Sequence, residues 1–312
     1  MASSLNRALC ALVLLMPAVA RADEPVIPLP TPVPAPKPLE PTPLPLPTPS
    51  DPTPQVRTRF VTDPITDFGI IGLSIGFTGM LQAIIGTGEL RPQQPTSKDD
   101  LLSIDRSTVR PDVSKSAPML SNIGVGVAIS YAVAAPLISA YRFGGETGWN
   151  DAILFAESIS LSLSATNLAK IAVRRPRPLA YQHEIDQQRL PPEQRTDVTG
   201  TDTALSFFSG HTAITSSIGA TATYLAFARS PHTAWPWVIM GASLVTTTFV
   251  GHQRVAAGKH FPTDVIAGGL AGAAIGLMVP HLHREQTTKQ RHVWVGGGFS
   301  DTSGTVSLQG LF

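Results

Sequence analysis

The sequence predicts an all-α protein: a six-helix bundle, embedded in a membrane or associated with one, followed by a short C-terminal β-hairpin. Two observations lead to this fold class. Six apolar segments follow one another along the chain, each long enough for a helix that crosses the roughly 30 Å core of a bilayer. Charged residues make up 14% of the chain, against about 25% in a typical soluble domain, which favours a large buried or lipid-facing surface.

The first segment, residues 1–22, has the pattern of a secretory signal. Arg7 supplies a positive start, Ala8–Met16 is apolar, and Ala20-Arg21-Ala22 is a small-x-small cleavage site. An uncleaved anchor helix is the alternative. In either case the chain enters the export pathway, and we expect it in the bacterial cell envelope.

A proline-rich linker is predicted for residues 23–59, because residues 25–54 contain 14 of the 29 prolines. Proline lacks an amide donor and has a fixed φ, so neither a helix nor a sheet interior forms here. We expect a polyproline II rod. It could be a spacer across an envelope layer, a ligand for an aromatic groove, or an inert linker.

Two composition counts exclude whole classes of function. Cys10 is the one cysteine of the chain and lies in the signal segment, so a processed chain would form neither disulfides nor thiolate metal sites. The formal net charge of +1 provides no attraction toward nucleic acid, and none is expected as a partner. Neither count indicates the oligomeric state.

The helical domain is predicted for residues 60–285. Small residues dominate its apolar segments, as in Gly268–Gly276, and they allow helices to approach closely. Residues 286–312 form a separate tail, in which apolar residues alternate on both sides of a turn at Asp301–Gly304, so a β-hairpin is predicted. The six apolar segments run over residues 68–86, 118–141, 151–173, 209–229, 235–250 and 264–282.

Three polar clusters interrupt the apolar chain, and each lies at a predicted helix end. The first closes the third helix, the second opens the fourth, and the third lies between the fifth and the sixth. If consecutive helices are antiparallel, all three clusters meet at the same end of the bundle. The side chains expected in one pocket are Lys170, Arg177, Ser209, Gly210, His211, Arg254, His260 and Asp264.

These residue types suit a phosphoryl group. Lys170, Arg177 and Arg254 offer positive charge, and guanidinium groups match the geometry of phosphate oxygens. Ser209 and Gly210 begin a helix, where free amides and the helix dipole favour anions. The cationic residues would stabilise charge without a metal, and neither a metal nor a cofactor is predicted.

Two histidines could divide a hydrolysis between them. His260 could attack phosphorus, while Asp264, four residues later, holds the far nitrogen of its ring. His211 could protonate the leaving group and then activate water. The reaction predicted from these residues is phosphomonoester or diphosphate hydrolysis through a phosphohistidine.

The three clusters also resemble the motifs of the type-2 phosphatidic acid phosphatase and vanadium haloperoxidase superfamily, over roughly residues 60–285. Its pattern is K-x(6)-R-P, then P-S-G-H, then S-R-x(5)-H-x(3)-D. This chain has Lys170…Arg177-Pro178, Phe208-Ser209-Gly210-His211 and Gln253-Arg254…His260…Asp264. The resemblance implies His260 as nucleophile, Asp264 as its partner, His211 as acid, and the remaining matched residues as phosphate ligands.

Two positions depart from the family pattern, since Phe208 stands in place of a proline and Gln253 in place of a serine. Neither position supplies the core chemistry, so these departures affect how the substrate fits more than whether the reaction occurs. By resemblance the substrate is a phosphorylated lipid or a small phosphoester, which the sequence does not specify further. Arg174, Arg175 and His252 lie near the motifs without a family role.

Two other functions stay open at this level. The same cationic residues could bind vanadate in a vanadate-dependent haloperoxidase. Alternatively, the protein could be a non-enzymatic envelope tether whose proline rod carries a degenerate bundle. The orientation is also open, because six spans after a cleaved signal would place the pocket in the cytoplasm. Family relatives face outward, and we expect a periplasm-facing site.

Overall fold

In the computed structural model of the protein, the described residues are 58–90, 93–196, 201, 205–285, 293–300 and 303–310. The predicted signal segment and the prolines of the predicted linker lie outside these residues. Each of the six predicted apolar segments is an α-helix. The long helices are α1 (Pro64–Gly86), α3 (Ala117–Phe143), α4 (Gly145–Val173), α6 (Gly210–Arg229), α7 (Trp235–Ala256) and α8 (Pro262–Leu282).

Two shorter helices, α2 (Ser103–Arg106) and α5 (Pro178–Gln188), occupy connections between the long ones. The sequence does not predict them, because neither has a long apolar stretch. In the C-terminal tail, strand β1 (Val293–Ser300) pairs with β2 (Ser303–Gly310). The pairing is antiparallel, with Val293 opposite Gly310 and Ser300 opposite Ser303. This hairpin lies where the alternation of apolar residues predicts it.

Local sequence signals explain where the helices begin and end. The side chain of Asp63 accepts a hydrogen bond from the Thr66 amide at 3.1 Å and caps α1, whose first residue is Pro64. Gly144, with φ of 100°, separates α3 from α4. Arg174 ends α4 in the left-handed conformation, two residues before Pro176.

Helix α6 lies at the centre of the bundle and contacts α3, α4, α7 and α8. Its small hydroxyl side chains are buried and donate to backbone carbonyls, so they cost little to enclose. Ser217 donates to the carbonyl of Ser158 in α4 at 3.1 Å, and Thr221 to that of Gly276 in α8 at 3.1 Å. These hydrogen bonds join three helices through short side chains.

Helices α6 and α8 are in direct backbone contact along a row of glycines. A Cβ atom at Gly268 would lie 2.6 Å from the carbonyl oxygen of Ser209, and one at Gly276 would lie 2.3 Å from that of Ser217. At Gly272 the corresponding distance, to the carbonyl oxygen of Ala213, is 2.0 Å. The spacing of four residues places these glycines on one face of α8. The close approach of the two helices is what the abundance of small residues in the sequence predicts.

We expect Gly272→Ala to destabilise the protein, because the added methyl group cannot fit unless α6 and α8 separate. The expected loss is about 1–3 kcal/mol, the usual range for overpacking a close contact. Gly269→Ala is the matched control, since its Cβ would meet Thr212 at an ordinary 3.7 Å. That variant should be neutral or slightly stabilised. Thermal unfolding in detergent measures both, and equal effects would contradict the packing described.

Within the part of the chain that the structure describes, four stretches are long and apolar enough to cross a membrane: α1, α3, α8 and the stretch Gly145–Gln188 that begins with α4. The third segment therefore qualifies despite its charged residues. Of the six long helices, α6 and α7 are not among these four. Helix α1 presents Ile65 and Leu73 outward, 86% and 78% exposed, which is the surface expected of a helix in contact with lipid. The protein is thus an all-α, membrane-type bundle.

Candidate active site

The three polar clusters meet at one end of the bundle, as the antiparallel arrangement predicts. The amide of Ser206, just before α6, donates to the carbonyl of Arg175, just after α4, at 3.0 Å. The amide of Ser209 donates to the carbonyl of Asp264 in α8 at 3.1 Å. Hence the end of α4 and the beginnings of α6 and α8 are fastened together by backbone hydrogen bonds.

The three predicted cationic residues lie close enough to both histidines to affect their pKa values. Arg177 and Arg254 are buried, and Lys170 is half-buried. Burial and the positive charges of Arg254, Arg177 and Lys170 hold the pKa of His260 well below its usual value. Burial, followed by the charges of Arg254, Lys170 and Arg177, lowers the pKa of His211 to about 4. Both imidazoles are therefore neutral at pH 7 when no anion is bound.

His260 is 2% exposed and held in one tautomer. Its Nδ1 lies 2.6 Å from the backbone carbonyl oxygen of Ser206. A carbonyl can only accept, so Nδ1 carries the proton and donates. In the neutral ring, Nε2 then has the lone pair, which is the form needed for attack on phosphorus.

Asp264 does not occupy the position predicted for it, because the ring nitrogen it was expected to hold is bonded to Ser206. The Asp264 carboxylate accepts from Arg175 Nη1 at 2.5 Å, from the Ser206 hydroxyl at 2.5 Å and from the Phe261 amide at 2.9 Å. The physical reason is its place in the first turn of α8, where a carboxylate turns back to cap the preceding amide. Asp264 therefore acts on His260 indirectly: it holds Ser206, and the carbonyl of Ser206 orients the imidazole ring.

Two residues of this network, Arg175 and Asp105, were not predicted as site residues, although Arg175 lies beside the first motif. Arg175 lies between two fully buried carboxylates, donating to Asp264 and, at 2.8 Å, to Asp105. Its guanidinium stacks over the Phe261 ring, 4.3 Å from the centroid. Asp105 also accepts from the amide and hydroxyl of Thr263 at 3.1 and 2.6 Å. The sequence signal for Arg175 is its position next to the first motif. The sequence around Asp105 contains no motif that would identify it as a site residue.

His211 lies in the first turn of α6, and its Nε2 is 2.8 Å from Oδ1 of Asn122 in α3. Asn122 was not predicted, since it lies in an apolar segment without a motif. The Ser209 hydroxyl pairs with the Thr212 hydroxyl at 2.9 Å, and Gly210 packs closely against Thr166 of α4. The structure therefore brings all eight predicted residues to one region and adds a supporting layer of Asn122, Asp105, Arg175 and Ser206.

The low pKa of His211 has a consequence for stability that can be measured. Between pH 6.5, its ordinary value, and about 4, the unfolded chain binds protons that folded His211 does not. The free energy of unfolding should therefore fall as the pH falls through this window, and His260 contributes in the same direction. We expect His211→Asn to reduce the slope in a series of unfolding curves. An unaltered slope in His211→Asn would contradict the described environment.

The protein is a membrane-type helical bundle with a cluster of cationic side chains and two neutral histidines at one end. The family comparison makes this more specific. Residues 151–288 match the family model described as the PAP2 superfamily. This stretch runs from α4 through α8 and contains every predicted site residue. Over these residues the chain resembles the PAP2 superfamily.

One similar solved structure has the description "Crystal structure of the first transmembrane PAP2 type phosphatidylglycerolphosphate phosphatase from Bacillus subtilis". It shares 16% sequence identity with this protein, and the alignment covers 69% of this chain and 94% of that one, with a TM-score of 0.39. The search of curated proteins found no match to the chain.

Proposed function

We propose that this protein is a metal-independent phosphatase that hydrolyses a phosphomonoester or diphosphate of a lipid through a phosphohistidine at His260. The observation that carries the proposal is the combination of a neutral histidine of fixed tautomer with three neighbouring cationic side chains. The cations would bind the phosphoryl oxygens and offset the charge that develops during transfer. The substrate's own negative charge would in turn permit His211 to become protonated.

The proposed reaction has two steps. In the first, Nε2 of His260 forms a bond to phosphorus while the bond from phosphorus to the leaving oxygen breaks, and protonated His211 gives its proton to that oxygen. In the second, neutral His211 accepts a proton from water, whose oxygen bonds to phosphorus as the bond to Nε2 breaks. Inorganic phosphate leaves and His260 regains its lone pair. Asp264 would support both steps by holding Ser206 in place.

A lipid substrate is favoured by the surface next to His211. Asn122, which contacts that histidine, is flanked on α3 by Met119 and Ile123, 61% and 50% exposed. Residues four apart lie on the same face of a helix, so these two form an apolar strip at the pocket. Acyl chains of a lipid phosphate could lie along this strip while the phosphate occupies the cationic pocket.

The experiment is a phosphate-release screen of the full chain in detergent, with EDTA present, over lipid phosphates and water-soluble phosphoesters. We expect release to persist in EDTA and to be faster with lipids. The double variant Met119→Ser, Ile123→Ser should lower kcat/KM for lipids by about tenfold or more, since two buried apolar contacts are lost, and should leave soluble esters nearly unaffected. Equal losses for both substrate classes would argue against the lipid strip.

Vanadate separates this proposal from haloperoxidase chemistry. It should inhibit phosphate release, because it would occupy the same cationic pocket as a phosphate mimic. Halide oxidation switched on by vanadate would instead overturn the phosphatase proposal. We also propose that the pocket faces the periplasm, and an alkaline-phosphatase fusion in the 179–205 connection that stays inactive would contradict that orientation.

A further inference from the structure

A second cluster of titratable side chains lies far from the candidate active site. It consists of Asp67 in the first turn of α1, Glu157 in α4 and His283, the residue after α8. Helix α8 has 21 residues, so at about 1.5 Å per residue its two ends are roughly 30 Å apart. The cluster therefore belongs to the opposite end of the bundle, and neither the motifs nor the proposed reaction uses it.

The three ligand-type atoms of the cluster point at one another. His283 Nε2 is 3.1 Å from Asp67 Oδ1 and 3.5 Å from Glu157 Oε2, and the whole set lies within 4.8 Å. A tetrahedral Zn²⁺ with bonds of about 2.0–2.1 Å has ligand atoms about 3.3 Å apart. The two nitrogen–oxygen separations already bracket that value.

The second ring nitrogen of His283 determines what Nε2 can do. Nδ1 is 2.8 Å from the carbonyl oxygen of Val279, which can only accept, so Nδ1 carries a proton. With a second proton on the ring, Nε2 donates to Asp67 Oδ1; in the neutral ring, the Nε2 lone pair faces two carboxylates and is placed to bind a cation between them. A histidine whose far N–H donates to a backbone carbonyl is the usual arrangement around metal ligands.

Burial makes the charge of this cluster costly. Asp67 is 2% and Glu157 3% exposed. Among the described residues, Asp67 Oδ2 and Glu157 Oε2 are buried without a hydrogen-bond partner. Burying two ionised carboxylates among apolar helices destabilises the folded state unless a positive charge compensates them. One divalent cation with a neutral imidazole would make the group electrically neutral and would engage the unpaired oxygens.

We propose that Asp67, Glu157 and His283 bind one divalent transition-metal ion, Zn²⁺ by the preference of an imidazole and two carboxylates for a borderline cation. The ion joins the start of α1 to the middle of α4 and the end of α8. Helix α1 packs mainly against α4 and exposes most of its apolar surface. The site is therefore structural, and it is separate from the pocket in which the proposed reaction needs no metal.

The test is a titration of the metal-stripped full chain, in chelator-treated detergent buffer, with Zn²⁺ by calorimetry and with Co²⁺ by visible absorption. We expect about one equivalent to bind and to raise the Tm. The isosteric variants Asp67→Asn and Glu157→Gln, and also His283→Ala, should each lose at least about tenfold in affinity. They should also lose the metal-dependent rise in Tm.

Two controls locate the site. His281→Ala alters a histidine that contacts Tyr224 instead of the cluster, and it should bind metal as the unaltered chain does. His260→Asn should bind metal fully, although it removes the proposed nucleophile. EDTA should lower the Tm while phosphate release in a short assay at low temperature persists. The proposal is overturned if the unaltered chain binds neither metal, since the cluster is then an imidazolium between two carboxylates, or if the cluster variants bind as tightly as the unaltered chain.

Discussion

His260→Asn is expected to reduce phosphate release by at least about a thousandfold, because loss of the nucleophile removes the covalent route. Asparagine is chosen because its side-chain amide can still donate to the Ser206 carbonyl, as Nδ1 of the histidine does. The local fold should therefore survive, and an unchanged Tm would show that. Steady-state phosphate release with the preferred substrate measures the loss.

Rapid quenching with a radiolabelled substrate provides the second readout for this variant. The unaltered protein should retain acid-labile label on the chain, and His260→Asn should retain none. The matched control is His252→Ala, an exposed histidine of the same segment that should keep both activity and labelling. If His260→Asn still accumulates a labelled protein, the nucleophile is another residue and the proposed mechanism is wrong.

Arg175→Ala is expected to destabilise the protein by about 3–5 kcal/mol, because it leaves two buried carboxylates without their shared cation. Asp105 and Asp264 are both fully buried, and Arg175 donates to each. Activity should fall as well, since Asp264 holds Ser206 and Ser206 orients His260. Unfolding in detergent, by heat or by denaturant, measures the change in stability.

The neighbouring arginine is the natural control for this prediction. Arg174 is exposed and its Nε donates to the Ile171 carbonyl of its own helix, so Arg174→Ala should change stability by less than about 0.5 kcal/mol. Adding Asp105→Asn to Arg175→Ala should recover part of the loss, because one uncompensated charge disappears. Equal effects of the two single variants would show that Arg175 is not the centre of this network.

The parts of the site that the sequence predicts are those with a local signal. Lys170 and Arg177 stand at a helix end beside a proline, Ser209, Gly210 and His211 open a helix, and His260 precedes one. When consecutive helices are antiparallel, every second connection lies at the same end of the bundle. The convergence of these residues therefore follows from the number of helices alone. The structure confirms the six helices and brings these residues together.

The parts that the sequence does not predict depend on contacts between distant segments. Asp105 reaches Arg175 across 70 positions of the chain, and Asn122 reaches His211 across 89. The local sequence pattern around Asp105 or Asn122 does not predict either contact. Asp264 is the informative error: its spacing from His260 allows a direct contact, but capping of α8 and the pull of Arg175 direct its carboxylate elsewhere.

The sequence by itself determined the helical class, the apolar surface, the tail with alternating apolar residues and the residues that carry the proposed chemistry, because periodicity, composition and helix-end signals are local properties. Only the tertiary structure decided which atom orients His260, which buried charges compensate one another, and that Asp67, Glu157 and His283 form a second cluster. Those outcomes depend on how side chains from distant helices share a limited buried space, where each carboxylate takes the nearest donor or cation. Spacing along the chain does not encode that competition.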